Sequence, residues 1–320
     1  MEHVTGQTTD QGPVPESATA ADTYGGELRR RYATGKGSWE WISESELDKA
    51  WALATGPWTA ALRGVAYPWL CWNVDSEWCL VQQRMVRSVG WTPVVGFDPR
   101  VGPPPLVEGA ILIDFNEGLD LPAMSMMFPL EFIFLFAPRL AFWHSDLLVR
   151  EPVLRRLAAD FRALADGETA ATDIRRGWWR RLIGHRGRYW ELIGCNTRGA
   201  SRSQYKLGCG WWRRPTQHPN CPDEGERAAR GRYMHDHGVG ILIWQERERG
   251  RVHPIPLKWV EEGHCSRVGN KHYRSRSPND HRRDLSKDLA FNYDLNEVAG
   301  RMGLSRFLSE PAVNEQDAGR

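Results

Sequence analysis

A histidine and an aspartate, two residues apart, directly follow an apolar run. Residues 140–143 (Leu-Ala-Phe-Trp) predict a buried strand, and His144-Ser145-Asp146 come immediately after it. An imidazole and a carboxylate on one side of a turn suit a divalent ion that is shared with a diphosphate. Asp146 can equally serve as the N-cap of the following helix. The spacing therefore predicts either a metal site at residues 144 and 146 or a purely structural strand end.

The elements before this triplet predict a parallel sheet. A strand at 65–74, a helix at 77–89 and a strand at 92–97 form a βαβ unit, in which Gly90 ends the helix. Further predicted elements are a strand at 110–115, a buried helix at 121–136 and an amphipathic helix at 151–166. The fold class expected is α/β, with a mixed, mainly parallel sheet flanked by helices and a loop-rich C-terminal region.

Ligands of open α/β sheets bind in the crevice outside the carboxyl ends of the strands. We therefore include Asn73 and Asp75, at the end of the first predicted strand, among the candidate substrate-binding residues.

Composition adds a hint about the ligand. The 320 residues include 16 Trp, and 36 Arg stand against 6 Lys. Trp faces stack on rings, and Arg binds phosphate or carboxylate in a bidentate fork. The net charge of +2 divides into −7 for residues 1–150 and +9 for residues 151–320. A basic half that faces an acidic half can receive an anionic ligand, or the two halves can simply attract each other.

The expected organisation has five parts. Residues 1–26 look like a disordered tail without a signal sequence, and 27–61 like a helical lead-in whose N-cap is Ser43 or Ser45. Residues 62–170 form the α/β half, and 171–273 form a second half rich in Trp, Arg and loops, with a short strand at 240–244. Residues 274–320 comprise a linker, a helix near 289–304 and a tail.

The sequence also argues against a membrane protein, a nucleic-acid-binding protein and a disulfide-stabilised protein. The most apolar stretch, 121–138, is broken by Pro129 and Glu131 and makes a poor membrane span, so we expect a cytoplasmic protein. Two arginine runs interleave with aromatics, but a pI near 8.2 and the lack of a known motif argue against a nucleic-acid partner. The six cysteines form no C-x-x-C pair, which argues against a disulfide framework.

One stretch offers zinc ligands at atypical spacing. The candidates are His218, Cys221, His235 and His237, with Cys209 or Cys265 as substitutes. Loop residues with ordinary partners would give the same pattern. Asp236 within this stretch precedes glycines and an apolar run, and is an alternative catalytic carboxylate.

The order of elements resembles the nucleotide-diphosphate-sugar transferases of the GT-A glycosyltransferase fold, which is Rossmann-related. Their nucleotide-binding half begins with a βαβ unit, and an Asp-x-Asp triplet at a strand end holds the metal and the sugar nucleotide. His144-Ser145-Asp146 stands where that triplet would be, so only Asp146 matches an acidic position. The resemblance covers residues 62–170 by order of elements. It implies an enzyme that transfers a sugar from a nucleotide-diphosphate donor to an unidentified acceptor.

The resemblance also implies a metal site. A late histidine often completes that site in such enzymes, and His264 is the candidate here. Mn²⁺ or Mg²⁺ would be held by Asp146, His144 and His264. If the three share one ion, Asp146 and His264 must approach within about 5 Å.

In the same interpretation, residues 188–214 form the acceptor region. Glu191 or Asp236 would take the acceptor proton. The substrate-binding candidates are Arg198, Trp211, Trp212 and Arg213. Alternatively, the two tryptophans fill a small core and the arginines are solvated. A zinc-stabilised, non-catalytic module that binds a glycan, a nucleotide or a protein remains the competing hypothesis.

Overall fold

The protein folds around one seven-stranded mixed sheet. The computed structural model describes residues 44–97, 101–119, 130–175, 177–182, 184, 186–207, 209–211, 237–265 and 294–309. The strands are β1 (Pro68–Asn73), β2 (Thr92–Phe97), β3 (Ile111–Leu112), β4 (Arg139–Trp143), β5 (Glu168–Asp173), β6 (Tyr189–Thr197) and β7 (Arg251–Pro256). Their order is β3-β2-β1-β4-β6-β5-β7. Only β6 is antiparallel to its neighbours, β4 and β5.

Eight α-helices of four or more residues flank the sheet in the described chain. They are α1 (Glu44–Leu53), α2 (Ser76–Ser88), α3 (Leu130–Ile133), α4 (Glu151–Ala163), α5 (Trp178–Leu182), α6 (Arg198–Lys206), α7 (Val239–Glu248) and α8 (Leu295–Met302). The path of α1 continues through Ala54–Trp58 and Thr59–Ala61. No helix among the described residues is long and apolar enough to cross a membrane.

The alternation of side chains along the strands divides the core into two layers. In β1, Leu70 packs in one layer and Trp69 in the other. The first layer contains residues of α1, α3, α6 and α7, and the second contains residues of α2, α4 and α8. Both faces of the sheet are thus covered, as parallel sheets require.

The predicted βαβ unit is confirmed. β1 and β2 pair in parallel over six residues, from Pro68 with Thr92 to Asn73 with Phe97. Asp75 begins the intervening helix α2, because its carboxylate accepts from the amides of Glu77 and Trp78. Asp75 thus has a structural role as the N-cap of α2.

The second half of the chain is more regular than its sequence indicates. β5, β6 and β7 join the same sheet as β1–β4, so the proposed division at residue 170 runs through one sheet. The strand predicted at 240–244 is wrong, because those residues lie in helix α7. A short apolar run fits either a strand or a buried helix, and the Gln-Glu-Arg-Glu that follows favours the helix.

Other predicted elements differ in extent. The strand at 110–115 is only two residues long, and within the predicted helix at 121–136 the described part contains α3 alone. The last helix, α8, begins at Leu295 behind the N-cap Asp294. The predicted tail at 1–26, Ser43, the predicted linker that begins at residue 274 and residues 289–293 of the predicted last helix lie outside the described residues.

Candidate metal centre

His144 stands on a rigid turn at the carboxyl end of β4. Its amide donates to the carbonyl of Leu192 at 2.9 Å, which extends the pairing of β4 with β6 by one residue. Gln82 of α2 ties the turn down, since its side-chain amide donates to the carbonyls of His144 at 2.8 Å and Leu147 at 2.9 Å. Gln82 is buried, so this clamp works in a dry environment.

The segment that carries His264 lies directly against this turn. Leu147 and His264 form an antiparallel bridge, and the amide of Cys265 donates to the carbonyl of Asp146 at 3.1 Å. At the preceding position, a Cβ on Gly263 would lie 1.7 Å from the carbonyl oxygen of Leu148. The two segments therefore come this close only because residue 263 is glycine.

The three predicted metal ligands meet. One ligand atom from each of His144, Asp146 and His264 lies within 4.8 Å of the others. Asp146 Oδ1 is 3.5 Å from His264 Nε2 and 3.7 Å from His144 Nδ1. That oxygen is buried and has no hydrogen-bond partner. The approach of Asp146 to His264 satisfies the 5 Å condition for a shared ion.

The imidazoles and carboxylates of this centre shift one another's pKa values. Burial alone would raise the pKa of Asp146, but the contact with His264 and the charges of both imidazoles hold that pKa below its ordinary value. Burial alone would lower the pKa of His144, whereas the neighbouring Glu191 and Asp146 raise it above its ordinary value. The carboxylate of Asp146 is therefore ionised at neutral pH, whereas a cation that binds His144 must displace its proton.

Glu191 lies beside the triad on β6 and is almost completely buried. Its Oε1 is 3.5 Å from His144 Nε2 and 3.3 Å from His237 Nδ1, and its Oε2 accepts from Arg188 at 2.9 Å. Burial would raise the pKa of Glu191, but the charge of Arg188 and the bonds to both histidines hold it well below its ordinary value. A carboxylate held this way is a weaker base than usual, and its expected role as proton acceptor stays a prediction.

Arg188 and His237 are site residues that sequence reasoning did not assign to this place. Arg188 also donates to the carbonyl of His237, which fixes the start of α7 against β6. Gly238 has a φ of 80°, and a Cβ there would lie 2.4 Å from the carbonyl oxygen of Tyr189. The glycine after His237 and the Arg-x-x-Glu spacing at 188–191 were the available signals.

Two of the predicted substrate-binding residues lie at the end of β1, beside the triad. Asn73 is buried, its amide donates to the carbonyl of Gly102 at 2.8 Å, and its Oδ1 has no hydrogen-bond partner. Asp75 caps α2, as described above. The structure thus places Asn73 at the expected edge, where it also anchors the loop that follows β2.

Two other candidates are not part of the triad's surroundings as binding groups, Arg198 because of its place and Trp211 because of its burial. Arg198 follows the other end of β6, where its amide donates to Pro138 at the start of β4, about 17 Å along the strand from His144. Trp211 is buried, and its ring packs edge-on against Phe142 with centroids 4.6 Å apart. The alternative of a core tryptophan is correct for Trp211, because its indole lies inside the core.

An exposed tryptophan pair occurs elsewhere on the same edge. Trp178 and Trp179 of α5 are 63% and 67% exposed and stack with centroids 4.7 Å apart. They follow β5, which lies two strands from β4, about 10 Å across the sheet.

The remaining candidates lie outside the described residues. These are Trp212, Arg213, Asp236 and, from the predicted zinc site, His218, Cys221 and His235.

The triad occupies a topological switch point of the sheet. β1 is followed in the chain by β2 on one side, and β4 leads to β5 and β6 on the other. Ligands of open α/β sheets bind where the strand order diverges in this way. Three protein ligands also leave coordination positions for a substrate, which is typical of catalytic rather than structural metal sites.

Comparisons with protein-family models, with curated proteins and with solved structures find no match to this chain.

Proposed function

We propose that this protein is a metal-dependent, glycosyltransferase-like enzyme that transfers a sugar from a nucleotide-diphosphate donor to an acceptor hydroxyl. The observation that carries the proposal is the convergence of His144, Asp146 and His264 at the carboxyl end of β4. A βαβ unit precedes this strand, in the order that the resemblance implies.

The residues divide the work as follows. His144, Asp146 and His264 would hold the divalent cation, which as a Lewis acid neutralises the charge of the departing diphosphate. Asn73 lies on the neighbouring strand end, where its unpartnered Oδ1 is an acceptor for a donor hydroxyl. In the transfer, the bond between the sugar and the diphosphate breaks, and the acceptor oxygen bonds to the same carbon.

The acceptor side changes from the sequence-based expectation. Trp178 and Trp179 replace the buried Trp211 as the tryptophan faces on which acceptor rings stack, because they are exposed at the same edge. Asp236, next to His237 in the chain, keeps the role of proton acceptor, since Glu191 is bound to Arg188 and both histidines.

A second candidate follows from the two imidazoles of the centre. Imidazole is a good ligand for zinc, so the same residues can hold a zinc ion in a protein that binds a nucleotide without transferring a sugar. The position open to a substrate favours the enzyme.

The test is a panel of nucleotide-diphosphate sugars, titrated into the full chain with Mn²⁺, Mg²⁺ or Zn²⁺ by calorimetry. Release of nucleoside diphosphate reports turnover. We expect at least one donor to bind only with metal and Asp146→Ala to lower turnover at least 100-fold. The matched control is Glu168→Gln, a buried carboxylate at the opposite edge, which should leave turnover within twofold. Donor binding without turnover supports the second candidate, and the absence of any donor binding contradicts both.

A further inference from the structure

The donor atoms of the triad differ from those that Mg²⁺ prefers. Two of the three are imidazole nitrogens, and only Asp146 offers an oxygen. Mg²⁺ takes oxygen ligands and keeps several waters, whereas imidazole suits zinc, iron, copper and nickel. The ligand set therefore favours a transition-metal dication over Mg²⁺.

The spacing of the donor atoms fits such an ion. Two ligand atoms bound tetrahedrally at about 2.1 Å from a zinc ion lie about 3.4 Å apart. Asp146 Oδ1 lies 3.5 Å and 3.7 Å from the facing nitrogens of His264 and His144. These separations are too long for good hydrogen bonds, so the buried oxygen is unsatisfied until a cation joins it to the imidazoles.

His144 lies between two carboxylates, one on each ring nitrogen. Its Nδ1 faces Asp146, and its Nε2 faces Glu191 Oε1 at 3.5 Å. A carboxylate beside Nε2 keeps a proton on that nitrogen, so Nδ1, which faces Asp146, is the nitrogen that a cation can bind. Metal-binding histidines are commonly oriented in this way by a second carboxylate that does not touch the ion.

Glu191 is itself fixed in place. Arg188 binds its other oxygen at 2.9 Å, and both side chains are more than nine-tenths buried. His237 contacts the same oxygen as His144, at 3.3 Å. Glu191 thus has a fixed position, as a residue that orients a metal ligand must have.

We propose that the triad binds a transition-metal dication of the zinc type, that His144 coordinates it through Nδ1, and that Glu191 is the positioning residue of His144. This refines the metal of the proposed function and rests on its metal centre, but not on the sugar-transfer reaction.

The test measures metal binding directly, without a donor. Untagged full-length protein, stripped with a chelator, is titrated with Zn²⁺, Mn²⁺ and Mg²⁺ in a non-coordinating buffer. We expect one Zn²⁺ per chain, at least tenfold weaker Mn²⁺ binding, and no Mg²⁺ binding at millimolar concentration. Mg²⁺ binding as tight as that of Zn²⁺ would overturn the assignment of the metal.

The role of Glu191 is tested with Glu191→Gln. We expect Zn²⁺ affinity to fall 10- to 100-fold and the absorption bands of the Co²⁺-loaded protein to shift, with an unchanged circular dichroism spectrum. Glu191→Asp keeps the charge beside Arg188 and should recover part of the Zn²⁺ affinity. If Glu191→Gln does not fold, Glu191→Asp replaces it in the test, with an affinity expected between those of the original protein and a protein without the carboxylate. Glu168→Gln is the matched control and should leave both readouts unchanged. Unaltered Zn²⁺ affinity and Co²⁺ bands in folded Glu191→Gln would refute the positioning role.

The two proposals fail separately. Zinc binding without any turnover refutes the transferase and leaves the zinc-type metal site standing. Turnover that depends on Mg²⁺ alone supports the transferase and refutes the zinc-type metal site.

Discussion

Two clusters of buried polar groups, one at each edge of the sheet, differ in how they are hydrogen-bonded. At the amino edge of β5, Thr169, Asn196 and Gln204 bond to one another at 2.7 to 3.0 Å, and Asn196 also donates to Ser201 at 3.1 Å. At the carboxyl edge, Asp146 Oδ1 and Asn73 Oδ1 are buried without a hydrogen-bond partner. Buried polar groups are normally satisfied, so the first edge has the character of a structural network and the second that of a site completed by a ligand.

The distances support this contrast. The polar contacts of the amino edge have the lengths of ordinary hydrogen bonds, whereas the carboxylate of Asp146 lies 3.5 and 3.7 Å from the two imidazoles of the triad. Ligand atoms that bind one cation lie at similar separations from one another. Substitutions at the two edges should accordingly affect different properties, namely stability at one and metal binding at the other.

The largest effect is expected from Gly263→Ala. Its Cβ would overlap the carbonyl of Leu148, so the segment must move and His264 must leave Asp146. We expect Zn²⁺ affinity to fall at least 100-fold and the free energy of unfolding to fall by about 2 kcal/mol or more. Calorimetry and urea denaturation measure the two.

Gly300→Ala is the matched control for that variant. Gly300 lies in α8, and the nearest atom to its Cβ would be Ser305 Oγ at 4.0 Å. This change should leave Zn²⁺ binding intact and stabilise the protein by about 0.5 to 1 kcal/mol. Equal metal affinity in the two glycine variants would show that His264 is not a ligand.

An intermediate effect is expected from Asn196→Ala at the amino edge. The change leaves Thr169 and Gln204 without one of their partners in a buried place, and should cost about 2 to 4 kcal/mol of unfolding free energy. Metal affinity should stay within twofold, because the network lies at the other end of β6. A loss of zinc binding without a loss of stability would abolish the distinction between the edges.

The smallest effect concerns Glu168, also at the amino edge. The hydrogen bond from Arg251 lowers the pKa of its carboxyl below the ordinary value, helped by the amide of Ala165 and by His253 against the effect of burial. A lowered carboxyl pKa stabilises the fold above the pKa of the unfolded chain, and that contribution is lost as the pH falls toward the folded value.

Glu168→Gln should therefore cost under about 1 kcal/mol at neutral pH, since Arg251 and His253 are largely exposed. The difference from the original protein should begin to shrink as the pH falls below about 4.5, the unperturbed region of a glutamate, and should vanish below the lowered pKa of the folded protein. Urea denaturation of both proteins at pH 7 and pH 3.5 measures it. A difference that persists unchanged at pH 3.5 would contradict the ion pair.

The first half of the fold was predictable because local signals agree there. The apolar runs of β1, β2 and β4 are bounded by Asp75, Gly90 and His144, and periodicity finds α2 and α4. β6 escaped prediction because its sequence, Tyr-Trp-Glu-Leu-Ile-Gly-Cys-Asn-Thr, mixes polar residues into a central strand. Those polar residues are satisfied by distant partners, which a single sequence does not reveal.

The candidate site was likewise predictable only in part. His144 and Asp146 could be predicted from a strand end, and His264 only through a resemblance. The environment of Glu191 could not be predicted, because Arg188 and His237 reach it from the start of β6 and from the turn before α7. In the sequence, Glu191 stands near glycines and tryptophans, which suits a catalytic base. Only its contacts with Arg188 and the two histidines show that it is held in place.

The bridge between Leu147 and His264 joins parts of the chain about 120 residues apart. An ion bound at this point would act as a reversible crosslink that closes a long loop, and crosslinks across long loops remove the most freedom from the unfolded chain. Since β5, β6, α7 and β7 all lie within that loop, the ion would bind only after most of the sheet has assembled. Metal occupancy would then report whether folding of the chain is complete.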